Sequence, residues 1–305
     1  MHVRRLLMVS LSVVLVASSA FGASLKKTVA VSRFENKTSW SGQIRLDDGM
    51  ADQLTDALMK SGEFMVLERQ TLGDVVAEQD LAASGRAAKS QTAQTGKLLS
   101  AQILIKGTIT EFENKSAGSG TGFGIGGIRL ANKREEAHVG LIIRLIDTTT
   151  GQVLDSQRCE GKATAGGMGV GVSVGIVDFG TEGFSKTPLG KAVQITIDNA
   201  VAYISGKLKN VAYQGSVIRV SGDDIYTSAG ERNGCTVGDT FTVFSVGEAL
   251  VDPTTGEKLG SEEKKKGVIK VYEVQEKFSK AKAESTLNPA AAQGDVIRAP
   301  ATGGK

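Results

Sequence analysis

Residues 28–67 read TVAVSRFENKTSWSGQIRLDDGMADQLTDALMKSGEFMVL, and this stretch predicts a strand, a helix and a second strand. Thr28 to Phe34 alternates in polarity and is rich in β-branched residues, which is typical of a strand. Apolar residues then recur at helical spacing, at Met50, Leu54 and Leu58. Gly62 ends this helix, and Phe64 to Leu67 predicts the second strand.

The alternation of strand and helix continues through the first two thirds of the chain. A second helix is predicted before Gly85, with an inner face made of Leu72, Val75, Val76 and Gln79. Ile103 to Phe112 predicts a buried central strand, because it opens on Ile-Leu-Ile. Val139 to Asp147 and Gln152 to Arg158 predict a hairpin closed by Thr-Thr-Thr-Gly. This order indicates an open α/β sheet.

A long helix is predicted to close this part of the chain. Thr187 and Pro188 suit the N-cap and the first helical position. An apolar stripe follows at Leu189, Val193, Ile197, Val201, Ile204 and Leu208.

The sequence pattern changes at Gly215. Beyond this residue, short strand-like segments alternate with glycine turns, which predicts a small closed β-domain. Its charged insert, residues 252–266, predicts an exposed hairpin loop. The fold class is therefore α+β. We expect an α/β domain over residues 24–210, a small β-barrel-like domain over 211–300 and a tail over 301–305.

Residues 1–23 predict a secretory signal peptide. Arg4 and Arg5 precede an apolar run from Leu6 to Val16, and small residues follow it. The run is too short to span a bilayer, which needs about 20 apolar residues. No cysteine lies near the expected cleavage site, so we expect an exported protein of a Gram-negative-type envelope that is not a lipoprotein.

Composition narrows the classes of function. The chain has 305 residues and a formal net charge of +3, which gives no broad electrostatic footprint for nucleic acid. Two histidines and two cysteines, far apart, leave little material for a metal site. No enzyme signature is found, and we expect no catalytic residue, metal or cofactor.

Cys159 and Cys235 could pair in an oxidising compartment, but their places in different predicted domains favour two free thiols.

Two glycine-dense stretches, Gly118 to Gly127 and Gly166 to Gly183, alternate apolar residues with glycine. The apolar positions are Phe123, Ile125, Met168, Val170, Val172, Val174 and Ile176. A period-two apolar face is what a lipid-facing barrel strand requires, so membrane-inserting hairpins are one interpretation. Flexible loops beside a soluble sheet are another. A third is a dinucleotide fingerprint at Gly122, Gly124 and Gly127 with Asp147 beyond it, although no strand directly precedes it.

Several segments resemble the curli production assembly/transport (CsgG-type) family in order and spacing. They are TVAVSRFENKT, GMADQLTDALMKSGEFMVLERQTLGDVVAEQ, ILIKGTITEF and GLIIRLIDTTTGQVL, over roughly residues 28–209. The LERQ-x-L-x-x-V segment at Leu67 to Val75 is the most specific of them. The resemblance implies a periplasmic α/β domain that forms a ring with itself, and two hairpins per protomer that close one outer-membrane barrel. Those hairpins would occupy about 113–138 and 160–186.

The resemblance also implies a pore-narrowing loop after the first strand, here Glu35 to Asp48. Trp40 would be its aromatic residue, and Asn36 or Gln43 its amides; the alternative is that Trp40 packs onto the domain surface. The expected function is a ring-shaped outer-membrane secretion channel for exported protein subunits. The alternative is a soluble periplasmic scaffold or accessory protein. The C-terminal domain resembles the small closing domain of flagellar-ring assembly proteins, on GDxFxV-type turns such as GDTFTV at 238–243.

Overall fold

A computed structural model describes residues 25–40, 45–84, 86, 98–119, 124–125, 128–129, 132–168, 182–251, 253–254 and 258–299. The predicted signal peptide and the tail lie outside these ranges. The described chain forms a mixed sheet, helices against it, and a closed β-barrel, which confirms the α+β class. None of its helices is long and apolar enough to cross a membrane.

The first eight strands belong to the sheet and to a small hairpin. They are β1 (Lys27–Val31), β2 (Glu35–Asn36), β3 (Phe64–Leu67), β4 (Ile103–Ser119), β5 (Gly124–Ile125), β6 (Ile128–Arg129), β7 (Asn132–Asp147) and β8 (Val153–Met168). The sheet order is β3-β1-β4-β7-β8, with β2 paired to β4. β1 is parallel to β3 and β4, whereas β4, β7 and β8 are antiparallel. The predicted central position of the Ile103 strand and the predicted β7–β8 hairpin are both confirmed.

Two long helices pack against one face of this sheet. The described residues contain the α-helices α1 (Leu46–Ser61), α2 (Leu72–Ala83), α3 (Glu182–Ser185) and α4 (Pro188–Leu208). α1 and α4 bury their apolar stripes, including Leu54 and Ile197, in one core with Ile105 and Leu141 of the sheet. α4 begins as its sequence predicts, because Gly190 N donates a hydrogen bond to Thr187 Oγ1 at 3.0 Å. The buried face of α4 is therefore the apolar stripe that its sequence predicts.

Two glycines allow close approach on the covered face. A Cβ at Gly107 would lie 2.6 Å from the ring of Phe34, which is buried against that position of β4. A Cβ at Gly161 in β8 would lie 2.0 Å from the carbonyl oxygen of Ala192 in α4. Both positions thus require the absence of a side chain for the helix layer and the segment after β1 to pack.

The inner face predicted for the second helix is wrong. α2 exists, but it buries none of its residues: Val75 is 38% exposed, Val76 39% and Leu81 43%. A periodic stripe shows which side of a helix is apolar, whereas burial also needs a neighbouring element to cover that side.

The C-terminal strands form the closed barrel. They are β9 (Gln214–Ser221), β10 (Asp224–Thr227), β11 (Thr240–Val251), β12 (Lys258–Val274), β13 (Ser279–Ala283) and β14 (Val296–Arg298), in the order β10-β13-β12-β11-β14-β9. Phe241, Val243 and Ile269 are fully buried in its core. Leu25 joins that core from the start of the described chain, and Lys26 N donates to Asn233 O at 2.7 Å.

The insert at 252–266 is not a loop for most of its length. β11 and β12 pair from Thr240↔Lys270 to Val251↔Lys258, so most of the charged run is strand. Where the β11–β12 pair leaves the barrel, Lys266 Nζ lies 2.7 Å from Asp295 Oδ2, and both side chains are buried. Lys266 also donates to Ala290 O at 3.0 Å, which ties the segment before β14 to β12.

Candidate functional site at the sheet extension

Three strands of the sheet extend well beyond the helix layer. β4, β7 and β8 have 17, 16 and 16 residues, which corresponds to roughly 50 Å at the usual rise of a strand. Their pairing runs from Ile103↔Asp147 to Ser119↔Asn132, and Asn132 is also paired with Met168. We call the outer part of these strands, residues 111–119, 132–140 and 160–168, the ribbon.

The glycine stretches begin where the ribbon ends. β4 ends at Ser119, inside the first stretch, and the backbone of Ile125 pairs with that of Ile128. β8 reaches Met168, inside the second stretch. Phe123, Val170, Val172, Val174 and Ile176 lie outside the described residues. The membrane-facing assignment of this set stays a prediction.

A network of charged side chains crosses the base of the ribbon. Arg158 Nη2 lies 2.7 Å from Glu111 Oε1, and Arg158 Nε lies 2.6 Å from Glu160 Oε1. His138 Nε2 lies 3.2 Å from Glu160 Oε2; this hydrogen bond, with Arg158 beside it, lowers the pKa of Glu160. A Cβ at Gly140 would lie 1.7 Å from Glu111 Oε2, so the glycine makes room for this carboxylate.

Sequence reasoning did not find this network. Its members come from three strands, and the two most distant, Glu111 and Glu160, are 49 residues apart in the chain. No short sequence motif therefore contains them. The available signal was the alternation of charged and apolar residues along β7 and β8. That alternation predicts one covered and one open face of a sheet, and the charged members lie on the open one.

The segment after β1 runs beside β4 toward the ribbon. Glu35 pairs with Thr108 and Asn36 with Ile109. Asn36 Oδ1 accepts hydrogen bonds from Thr38 N at 2.9 Å and Thr38 Oγ1 at 2.8 Å. These bonds form a local turn, of the kind that asparagine side chains favour.

The turn places Trp40 on the base of the ribbon. Its ring meets that of Phe112 edge-on, with the centroids 5.0 Å apart and the planes at 74°. Trp40 is half-buried against the sheet core. The structure therefore brings Asn36 and Trp40 to one end of the helix-covered sheet. Gln43 lies outside the described residues, and the pore role of the three residues stays a prediction.

The dinucleotide interpretation is wrong. Its fingerprint requires a helix directly after the glycines, whereas residues 128–129 and 132–147 are strand. Asp147 has a structural role instead: its Oδ1 accepts from Thr149 N at 2.8 Å and from Thr150 N at 3.1 Å in the β7–β8 turn.

The two cysteines are buried and free. Cys159 belongs to the core under α4 and Cys235 to the barrel core. Burial raises the pKa of Cys159 to about 11 and, with Asp239 nearby, that of Cys235 to about 12. Among the residues that the structure describes, no group of three or more His, Cys, Asp or Glu residues could hold a metal ion.

The fold and this site define a class of protein: an α/β sheet, covered by helices on one face, whose central strands continue into a long antiparallel ribbon. The family model described as curli production assembly/transport component CsgG matches residues 10–221 of the chain. The chain belongs to this family. Membership identifies an envelope protein related to secretion and assembly and points to transport or assembly, not catalysis. The match ends at the last residue of β9 and leaves the other barrel strands outside it, so the flagellar-ring resemblance of the barrel stays a prediction.

Solved structures give distant likenesses, each over 59% of this chain. The hypothetical protein CT253 from Chlamydia trachomatis is 15% identical, with 96% of its chain covered and a TM-score of 0.36. The PelC dodecamer from Paraburkholderia phytofirmans is 17% identical (91% covered, TM-score 0.28), and lipoprotein GNA1162 from Neisseria meningitidis is 14% identical (99% covered, TM-score 0.29). At such scores they carry no argument about function. The expectation that the chain is not a lipoprotein stays a prediction. No curated protein matches the chain.

Proposed function

We propose that the chain is the protomer of a ring-shaped outer-membrane channel that exports protein subunits, after removal of the signal peptide at 1–23. The observation that carries the proposal is the strand pairing that continues from the core sheet to the glycine stretches, through Ser119↔Asn132 and Asn132↔Met168, with one register shift in β4 between Ile109 and Glu111. Strands held in register by a folded domain are already aligned for further pairing.

The glycine stretches supply the residue pattern for a lipid-facing wall. Backbone groups in a bilayer must pair with neighbouring strands, and only a closed barrel leaves no edge. One protomer has too few strands to close such a barrel, so copies of the chain contribute hairpins, from about 113–138 and 160–186, to a shared wall. In this wall the alternate apolar residues meet lipid: Phe123, Ile125, Met168, Val170, Val172, Val174 and Ile176.

The segment at the base of the ribbon narrows this channel. Trp40 and Asn36 lie where the sheet passes into the ribbon, which is where a periplasmic ring opens into a barrel. With Gln43 they offer an aromatic ring and two amides, a neutral polar lining. The channel is a passive conduit whose selectivity comes from pore width and lining, with no catalytic residue or cofactor.

One observation favours a second candidate, a soluble periplasmic scaffold that does not insert. The base of the ribbon is charged, through Glu113, Lys115, His138 and Glu160, and this part of it suits water. In both candidates the α/β domain spans 24–210 and the barrel domain 211–300. The candidates differ only in what the glycine stretches contact.

Cell fractionation of the full-length protein separates the two. The channel requires retention in outer membranes washed at high pH, with release only by detergent. Replacing Val172 and Val174 by lysine should abolish retention, because each lysine near the bilayer midplane costs about 2–4 kcal/mol. The matched control is the same double change at Ile218 and Val220, exposed residues of β9, which should leave retention unchanged. A wild-type protein found in the soluble periplasm, or an unaffected Val172/Val174 variant, would contradict insertion.

A further inference from the structure

The outward face of the barrel carries a group of basic and aromatic side chains that the proposed channel does not use. Cross-strand pairing brings them together: Arg219 is opposite Tyr226, Tyr226 is opposite Lys280, and Lys270 is opposite Lys282. We call this group the cationic face, and its members are Arg219, Tyr226, Lys270, Tyr272, Lys280 and Lys282. Two of its members already have acidic partners: Lys280 Nζ lies 2.8 Å from Glu273 Oε2, and Tyr272 OH donates a hydrogen bond to Asp224 Oδ1 at 2.7 Å. It lies outside the match to the CsgG family model, which ends at residue 221, except for Arg219.

Two lysines of this face are directly opposite each other. Lys270 and Lys282 are both exposed, and neither forms an ion pair with a described residue of the barrel. Like charges at directly opposed positions of an antiparallel pair destabilise it. The barrel therefore holds a local repulsion that an anion placed between the two ammonium groups would relieve.

These lysines also line a shallow pocket of about 410 Å³. Lys282 Nζ lies 5.3 Å from the centroid of the Tyr272 ring, and Val237 at the rim is 65% exposed. Glu284 is the only carboxylate among the residues that line the pocket. The lining thus has two lysines against one carboxylate, with Asp224 held at the Tyr272 hydroxyl, and it adds a ring and an aliphatic side chain that apolar groups can cover.

The charge of the whole barrel indicates which kind of anion fits. Residues 214–299 contain 11 Lys and Arg against 13 Asp and Glu, a net charge of −2. Extended polyanions such as nucleic acid or an anionic bilayer are attracted by a broad basic surface, which this barrel lacks. A short peptide segment that combines carboxylates with apolar side chains needs only the local positive charge of Lys270 and Lys282 at the pocket.

We propose that the cationic face binds an acidic peptide segment of a partner protein, with a carboxylate between Lys270 and Lys282 and an apolar side chain against Tyr272 and Val237. The proposal does not depend on membrane insertion, because the pocket lies wholly within the barrel.

A fluorescence titration of the purified full-length protein tests this, with a labelled (Glu-Leu)₄ peptide as the probe. We expect binding that weakens as salt rises, and no binding of a (Gln-Leu)₄ peptide. Replacing Lys270 and Lys282 by glutamine should weaken binding roughly threefold to tenfold, the effect of two exposed ion pairs. Glu284→Gln should strengthen it about twofold, since the competing carboxylate is removed.

Matched controls separate site-specific binding from general attraction. Lys264→Gln with Lys265→Gln removes two exposed lysines elsewhere on the same strand and should leave the affinity unchanged. The Lys270/Lys282 variant should unfold at the same or a slightly higher temperature than the parent, because a repulsion is lost. Equal loss of affinity in both double variants, no binding of the peptide, or tighter binding of a labelled oligothymidine or of phosphatidylglycerol vesicles would overturn the proposal.

Discussion

Trp40 and Phe112, 72 positions apart in the chain, meet edge-on with ring centroids 5.0 Å apart. Phe112 is buried at the point where β4 leaves the helix layer, directly opposite Val139 of β7. This contact fixes the segment after β1 to the base of the ribbon. The geometry links the loop expected to narrow the pore to the strands expected to form its wall.

We predict a measurable coupling between these two rings. Trp40→Leu and Phe112→Leu should each lower the free energy of unfolding, and their combined effect should fall short of the sum by about 0.5–1.5 kcal/mol. Urea denaturation of the parent, the two single variants and the double variant gives this value directly. Strict additivity would show that the rings do not stabilise each other.

Gly161 should not tolerate a side chain. A Cβ there would lie 2.0 Å from Ala192 O and 2.8 Å from Thr196 N, both in the backbone of α4. We expect Gly161→Ala to lower the free energy of unfolding by about 1–3 kcal/mol, because α4 must move away from β8. Gly206 in α4 is the control: a Cβ there meets nothing within 4 Å, so Gly206→Ala should stabilise by about 0.5–1 kcal/mol. Similar effects of the two changes in denaturation curves would refute this packing.

The buried thiols should make stability fall at high pH. A folded pKa of about 11 for Cys159 and about 12 for Cys235, against an ordinary value of 9.0, means that folding favours the neutral thiols. Their contribution is complete below pH 9 and is lost as pH rises toward 11–12. The test compares the denaturation midpoints of the parent and of the Cys159→Ala/Cys235→Ala variant at pH 8 and at pH 10.5. Between these two pH values the midpoint of the parent should fall by more than the midpoint of the variant. A difference that does not change with pH would exclude the effect.

The buried pair of Lys266 and Asp295 should be sensitive to loss of one partner. Their side chains are 5% and 7% exposed, and Asp295 Oδ2 also accepts from Ala292 N at 2.7 Å. Asp295→Ala leaves an unpaired buried ammonium and should cost about 3–5 kcal/mol, part of which Lys266→Met should recover. Lys60→Ala, which breaks an exposed pair with Asp56, should cost less than about 0.5 kcal/mol. Equal melting temperatures for the Asp295 and Lys60 variants would contradict this ranking.

Local signals predicted most of the α/β fold. The cap at Thr187, the stripe of α4 and the Thr-Thr-Thr-Gly turn each act within a few residues, and the structure has all three. The exposed stripe of α2 was not predicted, because Val75 and Val76 would look the same in a sequence whether or not a neighbour covered them.

Long-range pairing was the main feature that the sequence did not show. The strand predicted to end at Phe112 runs to Ser119, and the charged run before Lys266 is mostly strand. Glycine and charged residues have low strand propensity, so these segments are strands because of the partners beside them. For the site, the position of Trp40 on Phe112 depends on the same kind of distant contact.

The central claim is that the second glycine stretch is a lipid-facing strand, and cysteine scanning through it tests this most directly. In a chain with Cys159 and Cys235 replaced by alanine, single cysteines at 169–174 would carry an environment-sensitive fluorophore in isolated outer membranes. We predict quenching by a lipid-soluble agent at 170, 172 and 174, and quenching by a water-soluble agent at 169, 171 and 173. Uniform quenching from water at all six positions would contradict the membrane channel.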